Sequence, residues 1–151
     1  MAHAASIRAV SGEVFDNPTG WVARHIRRYV ESGGTRRHTL NGIDALLLTT
    51  RGRRTGRLRR TALYYGRDGE RYVLVATAVR GGGDPSWYLN LLDDPIVGVQ
   101  VRSEVFAAIA TPAAASERPR LWRLMVDVFP KYLEYAEEAG RDLPVVVIER
   151  G

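Results

Sequence analysis

Between two strand-like runs, Asp44–Thr50 (DALLLTT) and Thr61–Arg67 (TALYYGR), the chain sets Arg51–Arg60, RGRRTGRLRR, with six arginines and two glycines. Like charges packed this densely repel one another, so such a run is either solvated or bound to something anionic. Gly52 and Gly56 free the backbone to take φ > 0, which lets N–H groups converge on one anion. Guanidinium groups add forked donors suited to phosphate and carboxylate. The stretch reads as a receptor for a multiply anionic ligand. A solvated loop with no ligand is the bland alternative, and the flanking strands and glycines that fix its geometry count against it.

The charge is local. Residues 1–60 hold 12 Arg against 4 Asp and Glu, whereas residues 61–151 hold 10 Lys and Arg against 13 Asp and Glu. That asymmetry suits a defined anion site better than a nucleic-acid-coating surface, and no nucleic-acid-binding motif is present. Without cysteine, disulfides, thiolate nucleophiles and iron–sulfur clusters are excluded. His3, His25 and His38 show no metal-ligand spacing, so no metal is expected. No apolar run approaches the roughly 20 residues of a membrane span, and the start MAHAASIRAV lacks a signal-peptide core. The expected localisation is cytoplasmic.

With 151 residues the chain is expected to form one domain. Asn17 or Thr19 caps a predicted helix over about 20–32 that Gly33-Gly34 ends. Its apolar Val22, Ile26, Tyr29 and Val30 are expected to share a face, with Arg24, Arg27 and Arg28 elsewhere. Such a helix is usually docked on the body of a protein, and it is also a form that rests on the inner face of an anionic membrane. Thr61–Arg67 and Glu70–Ala78 flank Asp68-Gly69 as a predicted hairpin. Asp84-Pro85 opens a short helix to Leu92. Ile96–Arg102 and Glu104–Thr111 form a second hairpin, helices follow over about 116–129 and 131–139, and Leu143–Glu149 is a last strand. The class is α+β with a mainly β core, five to six antiparallel strands in a small barrel with flanking helices.

Three segments, LLLTTRGRRTGRLRRTALYYGRDGERYVLVA, DPSWYLNLLDDPIVGVQV and FPKYLEYAEEAGRDLPVVVIE, resemble the deazaflavin-dependent nitroreductase family in order and spacing, over about 39–149. The resemblance implies a split β-barrel that binds reduced coenzyme F420 and passes hydride to an organic acceptor such as a quinone, an enone or an activated nitro compound. By position, Arg53, Arg54, Thr55, Arg59 and Arg60 correspond to cofactor contacts. Thr61, Ala62, Leu63 and Tyr64 continue toward the cofactor ring, with Tyr64 preferred to Tyr65 as the ring facing the cavity. Val75, Ala76, Thr77 and Ala78 end the neighbouring strand beside the ring, and Ser86, Trp87, Tyr88, Leu89 and Asn90 open the short helix. Trp87 reads equally well as core. Phe129-Pro130-Lys131-Tyr132-Leu133-Glu134-Tyr135 matches a tyrosine-rich helix lining the acceptor pocket, with Phe129 in place of the first tyrosine. Tyr132 is the expected proton donor or orienter of the acceptor, with Tyr135 and Tyr64 beside it.

Without a thiol or a nucleophile triad, the protein itself supplies little redox chemistry, so a cofactor must carry the hard step. An FMN-dependent reductase on the same barrel and a non-catalytic deazaflavin carrier stay open, as does the oligomeric state. FMN has a phosphate but no carboxylate tail to occupy so many arginines.

Overall fold

The computed structural model describes residues 12–35, 38–77 and 83–151. In chain order these form β1 (Val14–Asp16), α1 (Gly20–Glu31), β2 (Thr39–Leu40), β3 (Ile43–Arg51), β4 (Leu58–Tyr64), β5 (Gly66–Asp68), β6 (Arg71–Val75), α2 (Ser86–Asp93), β7 (Ile96–Val101), β8 (Glu104–Pro112), α3 (Arg118–Val128), α4 (Tyr132–Ala139) and β9 (Val145–Arg150). One mainly antiparallel sheet runs β1-β4-β3-β7-β8-β9-β6-β5, with β2 added to β3. The α+β class holds. The sheet is open and has nine strands among the described residues, eight along this path and β2 beside it, where a small barrel of five to six was expected.

Alternation along the strands distributes the core. Leu46 and Leu48 of β3, Leu74 of β6 and Val146 and Ile148 of β9 face an inner apolar cluster with Val97, Val99 and Ala108. The intervening positions face helices. Val73, Val75, Val145 and Val147 meet Leu121 and Met125 of α3 and Tyr132 of α4, while Leu47 meets Val22, Ile26 and Tyr29 of α1.

The hairpin built around Asp68-Gly69 is smaller than the sequence suggests. Only Gly66–Asp68 pairs with β6, with Gly69 at φ +63° in the turn. Thr61 to Tyr64 pair with β3 instead, Leu48 opposite Thr61 and Ala45 opposite Tyr64. The strand extends back to Leu58, so the arginine stretch is the tip of the β3–β4 hairpin. Tyr65, 9% exposed, breaks the strand and turns its ring into the inner cluster. The Asp68-Gly69 turn is local, whereas the choice of β3 as partner depends on a larger buried face and is not written near the turn.

α1 ends as its Gly-Gly pair predicts. Gly33 N–H donates to Val30 O at 3.0 Å and Gly34 N–H to Tyr29 O at 2.9 Å, both glycines having positive φ. The fully buried Tyr29 hydroxyl anchors this end, reaching Ala45 O at 3.2 Å and Gln100 O at 3.3 Å and accepting from Arg102 N–H at 2.6 Å.

Candidate active site

The tip of the β3–β4 hairpin is held by its own bonds. Gly52 N–H donates to Arg57 O at 2.7 Å and Gly56 N–H to Gly52 O at 2.8 Å, so the glycine amides serve the loop and do not point at an anion. Gly56 takes φ +71°. Gly52 is required for space, because a Cβ there would stand 2.9 Å from Thr55 Oγ1 and 3.2 Å from Arg57 O.

The six arginines divide by partner. Arg51 Nη1 donates to Gly56 O at 2.8 Å, and its Nε lies 3.9 Å from Asp94 Oδ2. Arg53 is tied to α2, its N–H at 3.2 Å and its Nη1 at 2.9 Å from Asn90 Oδ1. Arg57 lies over the ring of Phe15, 5.2 Å from its centroid. Arg60 binds Asp16 with two parallel bonds, 2.6 Å and 3.1 Å. Arg54 and Arg59, both exposed, have no hydrogen-bond or acidic partner among the described residues.

These residues border a cleft of about 490 Å³. Arg53, Arg54 and Thr55 of the loop, Arg59, Arg60 and Thr61 of β4, and Ser86, Trp87 and Asn90 of α2 all line it. The structure thus brings together in one place residues spread from 53 to 90. α2 begins at Ser86 with Pro85 as its N-cap, one residue later than predicted, and the Asp84 carboxylate accepts from Arg141 Nη2 at 2.9 Å. The amides of Ser86 and Trp87 have no intrahelical acceptor by position, which favours negative charge at this end. Asn90 is 3% exposed, and its Nδ2 donates to Thr50 Oγ1 at 3.2 Å. Its amide therefore holds Arg53 and β3 in register with α2.

Other expected cofactor contacts lie elsewhere. Ala62 packs against α1, and Leu63 and Tyr88 pack on the inner cluster. Leu89 is half-buried and outside the cleft lining. Val75 and Ala76 are 3% and 0% exposed, Val75 is paired with Val145, and Ala76 N–H is spent on Pro144 O at 2.9 Å. The Ala76 amide is therefore not available to a ligand. Thr77 is half-buried at the end of this segment, and Ala78 lies outside the described residues.

The expected catalytic tyrosines are gathered around one ring. Phe129 lies 4.8 Å from Tyr64, 5.0 Å from Tyr132 and 6.0 Å from Tyr135, centroid to centroid. Tyr132 is 5% exposed, and burial, with the neighbouring Tyr64 and Tyr135 phenols adding to it, pushes its hydroxyl well above the usual phenol range. The Tyr64 hydroxyl accepts from Asn41 Nδ2 at 3.2 Å. Thr61 in the cleft and Tyr64 in this cluster are three residues apart on one strand, roughly 10 Å.

Sequence reasoning missed one wall of the cleft, Phe15, Asp16, Asn17 and Pro18. β1 is a three-residue strand running parallel to β4, with Phe15 opposite Arg59 and Asp16 opposite Arg60. Asn17-Pro18 reads as a helix entrance, which it also is, since Asn17 Oδ1 accepts from Thr19 N–H at 2.9 Å. Pairing between residues 14–16 and 58–60 leaves no local signal.

Residues 21–150 match the F420H(2)-dependent quinone reductase family. An F420H(2)-dependent quinone reductase of Mycobacterium tuberculosis is 33% identical over 146 residues, covering 86% of this chain and 96% of the relative. A solved structure described as a domain-swapped dimer is 32% identical, covers 88% of this chain and 100% of its own, and superposes with a TM-score of 0.68. Another, described as the F420-H2 dependent reductase FDR-A, is 27% identical over 92% of this chain and 100% of its own, with a TM-score of 0.63. The chain belongs to the F420H(2)-dependent quinone reductase family.

Proposed function

We propose that this protein is an oxidoreductase that binds reduced coenzyme F420 in the arginine-bordered cleft and reduces a quinone or a similar organic acceptor, including enones and activated nitro compounds. The observation that carries the reading is the pair of uncommitted guanidinium groups, Arg54 and Arg59, in a cleft that also presents Thr55, Ser86 and the N-terminal amides of α2. That donor set fits a ligand with a phosphate and several carboxylates better than FMN. The alternation of the six longer strands around the inner cluster supports a split-barrel core, and the chain acts as a single domain.

When bound, reduced coenzyme F420 supplies two electrons as hydride. The protein's own residues bind and orient. Arg54 and Arg59 take the anionic end, Asn90 keeps Arg53 and the loop in place, and Phe15 and Trp87 wall the cleft against water. Tyr64, Tyr132 and Tyr135 serve the acceptor side. Because burial raises its pKa, Tyr132 keeps its proton throughout the neutral range and acts as a hydrogen-bond donor. A phenol so reluctant to ionise orients an acceptor better than it protonates one.

The test mixes the purified protein with reduced coenzyme F420 and a soluble quinone, and follows the return of oxidised-cofactor absorbance. Turnover is expected, and its absence with every quinone makes the protein a carrier. In the same assay Tyr132→Phe is expected to lower turnover about tenfold, the value of one hydrogen bond of about 1.4 kcal/mol, with cofactor affinity unchanged. Full activity in Tyr132→Phe would reduce the residue to packing.

Among the described residues no helix is long and apolar enough to cross a membrane. The exposed ring of Trp21, near Arg24 and Arg28 on α1, supports a secondary reading in which this helix rests on an anionic surface.

A further inference from the structure

Asp16 places a carboxylate where an anion-binding cleft has least use for one. Among the described residues lining the cleft it is the one acid. Its two oxygens accept from Arg60 Nε at 2.6 Å and Nη2 at 3.1 Å, the forked geometry that satisfies a guanidinium most fully. The backbone holds the pair together, with Asp16 opposite Arg60 in the β1–β4 ladder and Asn17 N–H donating to Arg60 O at 2.8 Å. Asn17 Nδ2 adds a bond to Thr61 Oγ1 at 3.3 Å. The Arg60 side chain is 23% and the Asp16 side chain 33% exposed, so the pair faces whatever enters the cleft.

We propose that Asp16 is a specificity-determining residue. It makes Arg60 half of a neutral pair and confines anion recognition to Arg54 and Arg59. The end of the cleft formed by Phe15, Asp16 and Thr61 is left to an uncharged part of the ligand. A ligand with negative charge at that end finds Arg60 already neutralised, meets the Asp16 carboxylate and is refused. β1 does not need the ion pair to stay on β4, because the ladder and the Asn17 bonds hold it and a partly exposed pair adds little stability. The inference rests on the reading above only in taking this cleft as the ligand site. The competing role, in which Asp16 aims Arg60 at the anion, predicts the opposite sign.

A mutant cycle separates them. The full chain, as wild type, Asp16→Asn, Arg60→Gln and the double variant, is titrated calorimetrically with inorganic tripolyphosphate at low salt, with melting curves for each. Asp16→Asn is expected to bind about tenfold tighter and with a steeper salt dependence, since it releases one guanidinium. Arg60→Gln binds more weakly, because it leaves Asp16 unpaired in the cleft. The double variant returns to within about threefold of wild type, the two charges having left together. Asp16→Ser gives the same gain should the Asn variant fold poorly. Weaker or unchanged binding by both uncharged variants overturns the proposal. So does a double variant as weak as Arg60→Gln, which would show Arg60 touching the anion. A wild-type titration with coenzyme F420 keeps the two readings apart. No F420 binding alongside the expected cycle removes the coenzyme and leaves Asp16's role standing.

Discussion

Arg54→Ala combined with Arg59→Ala is expected to weaken coenzyme F420 binding by about 100-fold or more at low salt, from two charge-assisted bonds of about 1.5–3 kcal/mol each. The other loop arginines have occupations of their own: Arg51 on Gly56 O and near Asp94, Arg53 on Asn90, Arg57 on Phe15 and Arg60 on Asp16. They cannot replace the lost pair without breaking contacts. The loss shrinks as salt rises, since the wild type is then itself screened. The fold is not at stake, because neither guanidinium bonds anything among the described residues. Titration at two salt concentrations checks it, and an unchanged dissociation constant at low salt would make the loop plain surface.

The largest effect on stability is expected from Gly34→Ala. A Cβ at Gly34 would stand 1.5 Å from Arg102 O and 2.7 Å from Ser103 N, and the residue has φ +78°. Backbone sits on both sides of that contact, because the Tyr29 hydroxyl fixes the end of α1 to Arg102 at 2.6 Å. The substitution must therefore prise α1 from the β7–β8 turn, at a cost of about 3 kcal/mol or more. For a chain of this size that lowers Tm by roughly 6–12 °C. Gly33→Ala is the internal control. It has φ +63° but nothing within 4 Å of an added Cβ, so its cost is the left-handed conformation alone, about 1 kcal/mol. Similar melting temperatures for the two variants would show that the contact is unimportant.

The parts of this site that were legible in the sequence are those whose cause is local. Asp44–Thr50 reads as a strand, and the strand period of two sends Leu46 and Leu48 to one face of β3 and Leu47 to the other. Ser86, Trp87 and Asn90 fall on the short helix expected and line the same cleft as the arginine loop. Spacing of three put Tyr132 and Tyr135 on one helix face, but it gave no sign that Phe129, in place of a tyrosine, is the ring around which Tyr64, Tyr132 and Tyr135 gather. What stayed hidden depends on pairing across the chain. The partner of Arg60 is Asp16, 44 residues earlier, brought there by a three-residue parallel strand without a pattern of its own. The turn at Asp68-Gly69 was plain to read, yet Thr61–Tyr64 chose β3, where the buried face is larger. Asn90 looked like a ligand contact by position. Its burial and three internal bonds make it a brace for the loop.

The central claim is that the cleft is made for a ligand with more negative charge than one phosphate. Direct titration of the purified protein with coenzyme F420 and, separately, with FMN tests it. The free guanidinium groups of Arg54 and Arg59 predict F420 binding at least about tenfold tighter than FMN, the return on one additional charge-assisted bond. FMN affinity equal to or tighter than that for F420 would contradict the account.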